Sequence, residues 1–221
     1  MKTLYIRIVI YNEETALQVA EYLLQIKAIV LQPNDPFTWA SGWKSPIYCD
    51  NRKTLSYPKI RNFIRHELVM AVEQKFGMPD AVAGVATGGI AHGALVAEEL
   101  GVPFCYVRSA SKGHGLTNLI EGVVESGQSV MVIEDLVSTG GSSLKAVNAL
   151  REAGCSVKGM AAIFTFGFET AEKNFEKNDC QLVTLGDYDT LIKKAVETNY
   201  ITEKDLESLQ QWRENPEKWG Q

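Results

Sequence analysis

The stretch that most constrains this chain is Val130-Met131-Val132-Ile133-Glu134-Asp135-Leu136-Val137-Ser138-Thr139-Gly140-Gly141-Ser142-Ser143. Four apolar residues, three of them β-branched, follow the turn signal Ser126-Gly127 and predict a strand buried on both faces, as in a parallel sheet. Two adjacent carboxylates come next, then a hydroxyl- and glycine-rich turn. Leu144, Val147 and Leu150 fall at helical spacing, and Gly154 predicts the helix end. A strand, a Gly/Ser/Thr loop and a helix N-terminus together make an anion site, because glycine lets the backbone approach and the unpaired amides point at the ligand.

The acids narrow the choice of anion. No Gly-Lys-Ser/Thr follows the glycines, and no G-x-G-x-x-G is present, so neither a Walker A loop nor a dinucleotide fingerprint fits. Glu134 and Asp135 would repel a bound phosphate unless they face hydroxyl groups or a cation. A sugar phosphate with vicinal hydroxyls meets both demands.

Around this motif the chain alternates. Strands are expected at Ala81 to Val85, Pro103 to Arg108, near Ile120 to Glu125, at Val157 to Phe164 and near Leu182 to Leu185. Helices are expected between and after them, including Ser56 to Phe76, Ile90 to Leu100 and one from about Glu169. The fold class is α/β, with a mainly parallel central sheet flanked by helices. Ligands of such sheets bind beyond the strand carboxyl ends, where the glycine-rich loops should converge. Asn12 caps a first helix with Ala16, Leu17, Ala20, Leu23 and Leu24 on one face, and that helix is expected to stop before Gln32-Pro33. Phe37 to Asp50 reads as a hairpin or bent strand pair, and Leu4 to Ile10 as an extra edge strand or an upstream start. One domain spans 1–221: an N-terminal helix and hood over about 12–55, a core over about 56–200, and a helical tail over 201–221, whose end from Gln210 to Gln221 is expected to dock loosely or fray, with Trp212 and Trp219 serving packing rather than ligand contact.

Composition sets outer limits. A net charge of -5 with pI near 5.3 argues against nucleic acid as a partner. No apolar run approaches the ~20 residues needed to span a bilayer, so no membrane role is expected. Cys49, Cys105, Cys155 and Cys180 are widely spaced, without C-x-x-C, and read as reduced thiols of a cytoplasmic protein.

The acid pair and its loop resemble the 5-phosphoribosyl-1-pyrophosphate (PRPP) motif of the type I phosphoribosyltransferases. A second segment, Arg108-Ser-Ala-Ser-Lys112-Gly-His114-Gly115, is similar to the R-x-x-x-K-x-H-G loop of the orotate phosphoribosyltransferases within that family. A third, Phe37-Thr-Trp-Ala-Ser-Gly-Trp-Lys44-Ser-Pro-Ile-Tyr48, resembles their hood segment of the F-T-x-x-S-G-x-x-S-P type. By physics alone this aromatic hairpin could equally be a core edge. A fourth, Ala86-Thr87-Gly88-Gly89, matches the pyrophosphate loop, although Gly-Gly also serves tight turns for steric reasons. The likeness runs from about Glu13 to about Glu197.

The resemblance implies transfer of ribose 5-phosphate from PRPP to orotate, a step of pyrimidine synthesis, with Mg²⁺ held mainly through PRPP and water rather than by protein ligands. It assigns Glu134 and Asp135 to the ribose hydroxyls, and Leu136, Val137, Ser138, Thr139, Gly140, Gly141 and Ser142 to the 5′-phosphate. Arg108, Lys112 and His114 neutralise the diphosphate, with Lys112 the main catalytic cation beside Glu134 and Asp135. In that family the 108–119 loop folds over the partner's site in a homodimer. Ser138, Lys44 and Tyr48 are the orotate candidates. Some relatives carry a lysine just before Ser-Gly, where this chain has Ala40. Others place an arginine within the stretch that here reads Phe166-Gly167-Phe168-Glu169, so backbone groups there would hold the base's carboxylate. Two alternatives stay open: a transferase for a purine or uracil, and a non-catalytic regulator on the same fold.

Overall fold

The computed structural model describes residues 8–39, 42–109 and 119–220. Strand β1 (Ile8–Ile10) confirms the expected edge strand over its last three residues, and residues 1–7 lie outside the described ones. Helix α1 (Glu13–Gln25) starts as its sequence demands. The Thr15 amide donates to Asn12 Oδ1 at 2.8 Å, and Glu13 and Glu14 occupy the first turn, where unpaired amides favour negative charge. Its buried stripe is Thr15, Ala16, Val19, Ala20, Leu23 and Leu24; Val19 takes the place expected for Leu17, which is half-buried.

The helix stops earlier than expected. Lys27 sits at φ 54, and the β-branched run after it forms β2 (Ile29–Leu31) instead of a last helical turn. Strands β3 (Phe37–Thr38) and β4 (Lys44–Ser45) make a small hairpin, and β5 (Ile47–Cys49) pairs antiparallel with β2. A 3-10 turn over Asn51–Ser56, not foreseen in the sequence, leads into α2 (Pro58–Phe76). That helix has Pro in its first turn, and Gly77 ends it at φ +70.

The core alternates β6 (Ala81–Val85), α3 (Gly88–Leu100), β7 (Phe104–Val107), β8 (Ile120–Glu121), β9 (Ser129–Val137), α4 (Gly141–Glu152), β10 (Ser156–Thr165), α5 (Glu169–Lys177), β11 (Leu182–Asp187), α6 (Tyr188–Glu197) and α7 (Glu203–Glu214). The main sheet has the order β1-β11-β10-β9-β6-β7-β8, parallel throughout except for the β7–β8 pair. Side chains alternate between its two faces. On β9, Met131 and Ile133 join the core under α1, α2 and α3, while Val130 and Val132 join the core under α4 and α5. This explains why the central run is apolar at every position.

Two expectations need correction. Strand β9 does not end at the acids, because β10 keeps pairing with it through Leu136↔Phe164 and Val137↔Thr165. Both carboxyls therefore stand on regular strand rather than on a loose turn. The tail does not dock loosely either: Trp212 of α7 is fully buried against Trp39, Phe166, Phe168 and Tyr188. Its packing role, by contrast, is as expected for a tryptophan.

Candidate active site

The strand carboxyl ends carry the site. Beyond β9, Ser138, Thr139 and Gly140 turn the chain into α4, whose N-cap residue Gly140 has φ +81, a conformation that favours glycine. No side chain caps α4. Its first-turn amides stay available to an anion, with the helix dipole behind them. The loop is held from outside: Asn174 Nδ2 donates to the Thr139 carbonyl at 2.9 Å, and the Phe175 ring lies where a Cβ on Gly140 would fall.

The acid pair is locked beside this cradle. Ser143 Oγ donates to Glu134 Oε2 at 2.9 Å, and the Asp135 amide donates to Glu134 Oε1 at 3.0 Å. Burial pushes the Glu134 carboxyl well above the usual carboxylate range, and the neighbouring Asp135 charge raises it further. Burial also raises Asp135, partly offset by its hydrogen bond to Glu134, by backbone amides and by the Arg52 charge. Two carboxyls that resist ionising together form a donor set that sugar hydroxyls or a cation would satisfy.

The second glycine loop lies against this pair. A Cβ on Gly88 would overlap the Asp135 carboxylate, and one on Gly89 would come within 2.5 Å of the Ile133 carbonyl. The steric role of Gly-Gly is thus visible: it lets the start of α3 touch β9. The Ala86–Thr87 peptide before it is cis.

A cavity of about 520 Å³ opens next to the phosphate loop, lined by Phe37, Thr38, Trp39, Tyr48, Cys49, Leu136, Ser138 and Phe166. Wider polar grooves beside α4 and α1 touch few of the residues above. The apolar cavity is the one that continues the strand ends, and its aromatic walls suit a flat ring. Ser138 and Tyr48, two of the three candidates for the base, line it. Lys44 does not; its Nζ donates to Thr38 Oγ1 at 2.9 Å, one step behind the wall. The Phe166 and Gly167 amides are engaged by the Val137 carbonyl and Thr165 Oγ1, so those two backbone groups are already used.

Arg108 stands at the end of β7 with Nη1 3.4 Å from Glu121 Oε1. Lys145 Nζ donates to the Ser109 carbonyl at 2.7 Å, tying the start of the basic segment to α4. Lys112 and His114 lie outside the described residues.

Several residues of the site escaped the sequence reading. Asn51 is fully buried, and its Nδ2 donates to the Asp135 carbonyl at 2.7 Å. Its own carbonyl accepts from Thr54 Oγ1 at 2.6 Å, and that hydroxyl lies 3.4 Å from Nε2 of the buried His92. Desolvation pulls His92 from 6.5 down to about 4, so the ring is neutral near pH 7. Arg52, adjacent to Asn51, is paired with Asp50 at 2.7 Å and places its charge near Asp135. The polar run Asp50-Asn51-Arg52-Lys53 directly after the hairpin was the available signal.

The uncapped start of α4, the acid pair, the second glycine loop and the aromatic cavity thus gather at one end of the sheet. Residues 56–196 match the phosphoribosyl transferase domain, most of the chain, and the chain belongs to that family. Within it the chain falls among the orotate phosphoribosyltransferases. It is 59% identical over 202 residues to the orotate phosphoribosyltransferase of Porphyromonas gingivalis, covering 91% of this chain and 96% of that protein. The Listeria monocytogenes enzyme of the same name is 58% identical over 203 residues, covering 92% and 97%. Among solved structures, the orotate phosphoribosyltransferase of Aeropyrum pernix superposes with a TM-score of 0.71 at 30% identity, over 80% of this chain and 97% of that one. The Leishmania donovani UMP synthase shares the fold with a TM-score of 0.76 at 24% identity, over 91% of this chain and 42% of that one.

Proposed function

We propose that this chain transfers ribose 5-phosphate from PRPP to orotate, giving orotidine 5′-monophosphate and pyrophosphate in pyrimidine synthesis. The observation that carries the reading is the continuity between the two halves of the site. Ser138 belongs to the phosphate loop and also lines the ring pocket. A phosphoribosyl group seated on α4 would therefore present its anomeric carbon toward the pocket, in reach of a base held there.

The residue roles follow from position and charge. The amides and hydroxyls from Leu136 to Ser142 take the 5′-phosphate, while Glu134 and Asp135 take the ribose hydroxyls and favour positive character at the ribose as the bond to pyrophosphate breaks. Ala86 to Gly89 receive pyrophosphate at the start of α3, and Arg108, Lys112 and His114 neutralise it, contributed by the partner of a homodimer. Ser138 and Tyr48 contact the base, and Lys44 acts on it through Thr38. Mg²⁺, held mainly through PRPP and water, would supply further charge neutralisation on the diphosphate, and the adjacent carboxyls of Glu134 and Asp135 are oxygen donors that would suit such a cation. We place the protein in the cytoplasm, consistent with its four free cysteines. No helix among the described residues is long and apolar enough to cross a membrane.

The test is loss of orotate ultraviolet absorbance with PRPP and Mg²⁺, with uracil, adenine and hypoxanthine run in parallel. Turnover of orotate alone is expected. Lys112→Ala should lower kcat roughly a hundredfold, the usual cost of removing one transition-state charge. Turnover of another base instead would sink the orotate assignment and keep the PRPP site.

A further inference from the structure

We propose that α7, which lies beyond the matched phosphoribosyl transferase domain, is a working part of the base pocket, with Trp212 and Arg213 as positioning residues for its wall. The inference rests on the reading of the cavity as the base site. Two of the rings that line it, Trp39 and Phe166, come from elements far apart in the chain: the first from the hood, the second from the end of β10. Their centroids are 5.6 Å apart. Trp212 stands edge-on to both from behind, at 5.6 Å and 82° to Trp39 and at 5.7 Å and 87° to Phe166. Edge-to-face packing of this kind fixes ring orientation as well as burying area.

The neighbouring residue grips the same wall. Arg213 Nη2 donates to the Gly167 carbonyl at 3.4 Å, while its Nη1 pairs with Asp189 at 3.1 Å. Tyr188 Oη donates to the Leu209 carbonyl at 3.0 Å, which anchors α7 on α6. Within the hairpin, Trp39 Nε1 donates to the Ile47 carbonyl at 3.2 Å, its amide donates to the Trp43 carbonyl at 2.9 Å, and its ring stacks on Trp43 at 6.4 Å. The α7 clasp therefore backs the Trp39–Phe166 contact, where hood meets core behind the pocket. Among the described residues, none of the α7 side chains touches the phosphate loop, whose nearest link to the clasp is the Phe166 amide on the Val137 carbonyl, so the clasp acts first on the base.

The experiment measures KM for orotate and the Kd of PRPP, the latter by calorimetric titration, in wild type, Trp212→Leu, Trp212→Phe and Arg213→Met. Circular dichroism melts set a temperature at which each variant is folded. Trp212→Leu should raise the orotate KM about tenfold while PRPP affinity stays within about twofold, with Trp212→Phe recovering most of the loss. Arg213→Met should raise the same KM about threefold. A parallel fall in PRPP affinity, or an unchanged orotate KM in folded Trp212→Leu or Arg213→Met, overturns the proposal. If Trp212→Leu does not fold, Arg213→Met decides on the same readout. A wild type that ignores orotate but uses another base defeats the substrate reading alone, and the clasp is then judged on the KM of that base.

Discussion

The two halves of this site are built by different means. The phosphate half is nearly contiguous: Glu134 to Ser143 supply the acids, the loop and the uncapped start of α4. The base half is assembled from Phe37, Trp39, Tyr48, Leu136 and Phe166, with Trp212 behind them, residues spread over most of the chain. A phosphate is recognised by backbone amides at one helix end, so a short motif suffices. A flat ring needs walls on several sides, and only tertiary packing brings those together. The two halves meet at Leu136 and Ser138, and beside them the buried Asn51-Thr54-His92 chain ties the 3-10 turn of the hood to β9 and α3.

The contrast can be broken most severely at the acids. Asp135→Asn should lower kcat/KM for both substrates by at least a hundredfold with no loss of melting temperature, because the carboxylate serves chemistry and costs free energy in the unliganded fold. At the seam, His92 should make the protein acid-sensitive. Its folded value of about 4 lies below the ordinary 6.5, so the unfolded chain binds the extra proton and stability falls as pH drops through that window. The loss should reach up to about 3 kcal/mol at pH 4 in chemical denaturation, and His92→Gln should lack it. Glu134 has the opposite sign. Its raised carboxyl favours the protonated fold, so stability is lost as pH rises above the ordinary carboxylate range. Glu134→Gln should therefore be more stable than wild type at pH 7 in chemical denaturation, while losing activity.

This division also explains what the sequence disclosed. The parallel sheet was readable because β9 is apolar on both faces, and the phosphate loop because glycines, hydroxyls and acids sit side by side. Strand β2 was missed because Ile29–Leu31 is too short for periodicity to separate from a helix end, and its pairing partner β5 is remote in sequence. The burial of Trp212 was equally hidden, since no spacing rule links a tail tryptophan to Trp39 and Phe166. Asn51 carried no motif of its own; its role exists only because Asp135 presents a carbonyl to it.

The most direct test of a divided site is a crossed pair of kinetic measurements on Trp39→Ala and Ser142→Ala, with KM determined for orotate and for PRPP in each. The account predicts that Trp39→Ala raises the orotate KM about tenfold and leaves that of PRPP within about twofold, and that Ser142→Ala does the reverse. Variants that move both constants together would contradict it, and would mean that ring pocket and phosphate cradle form one inseparable unit.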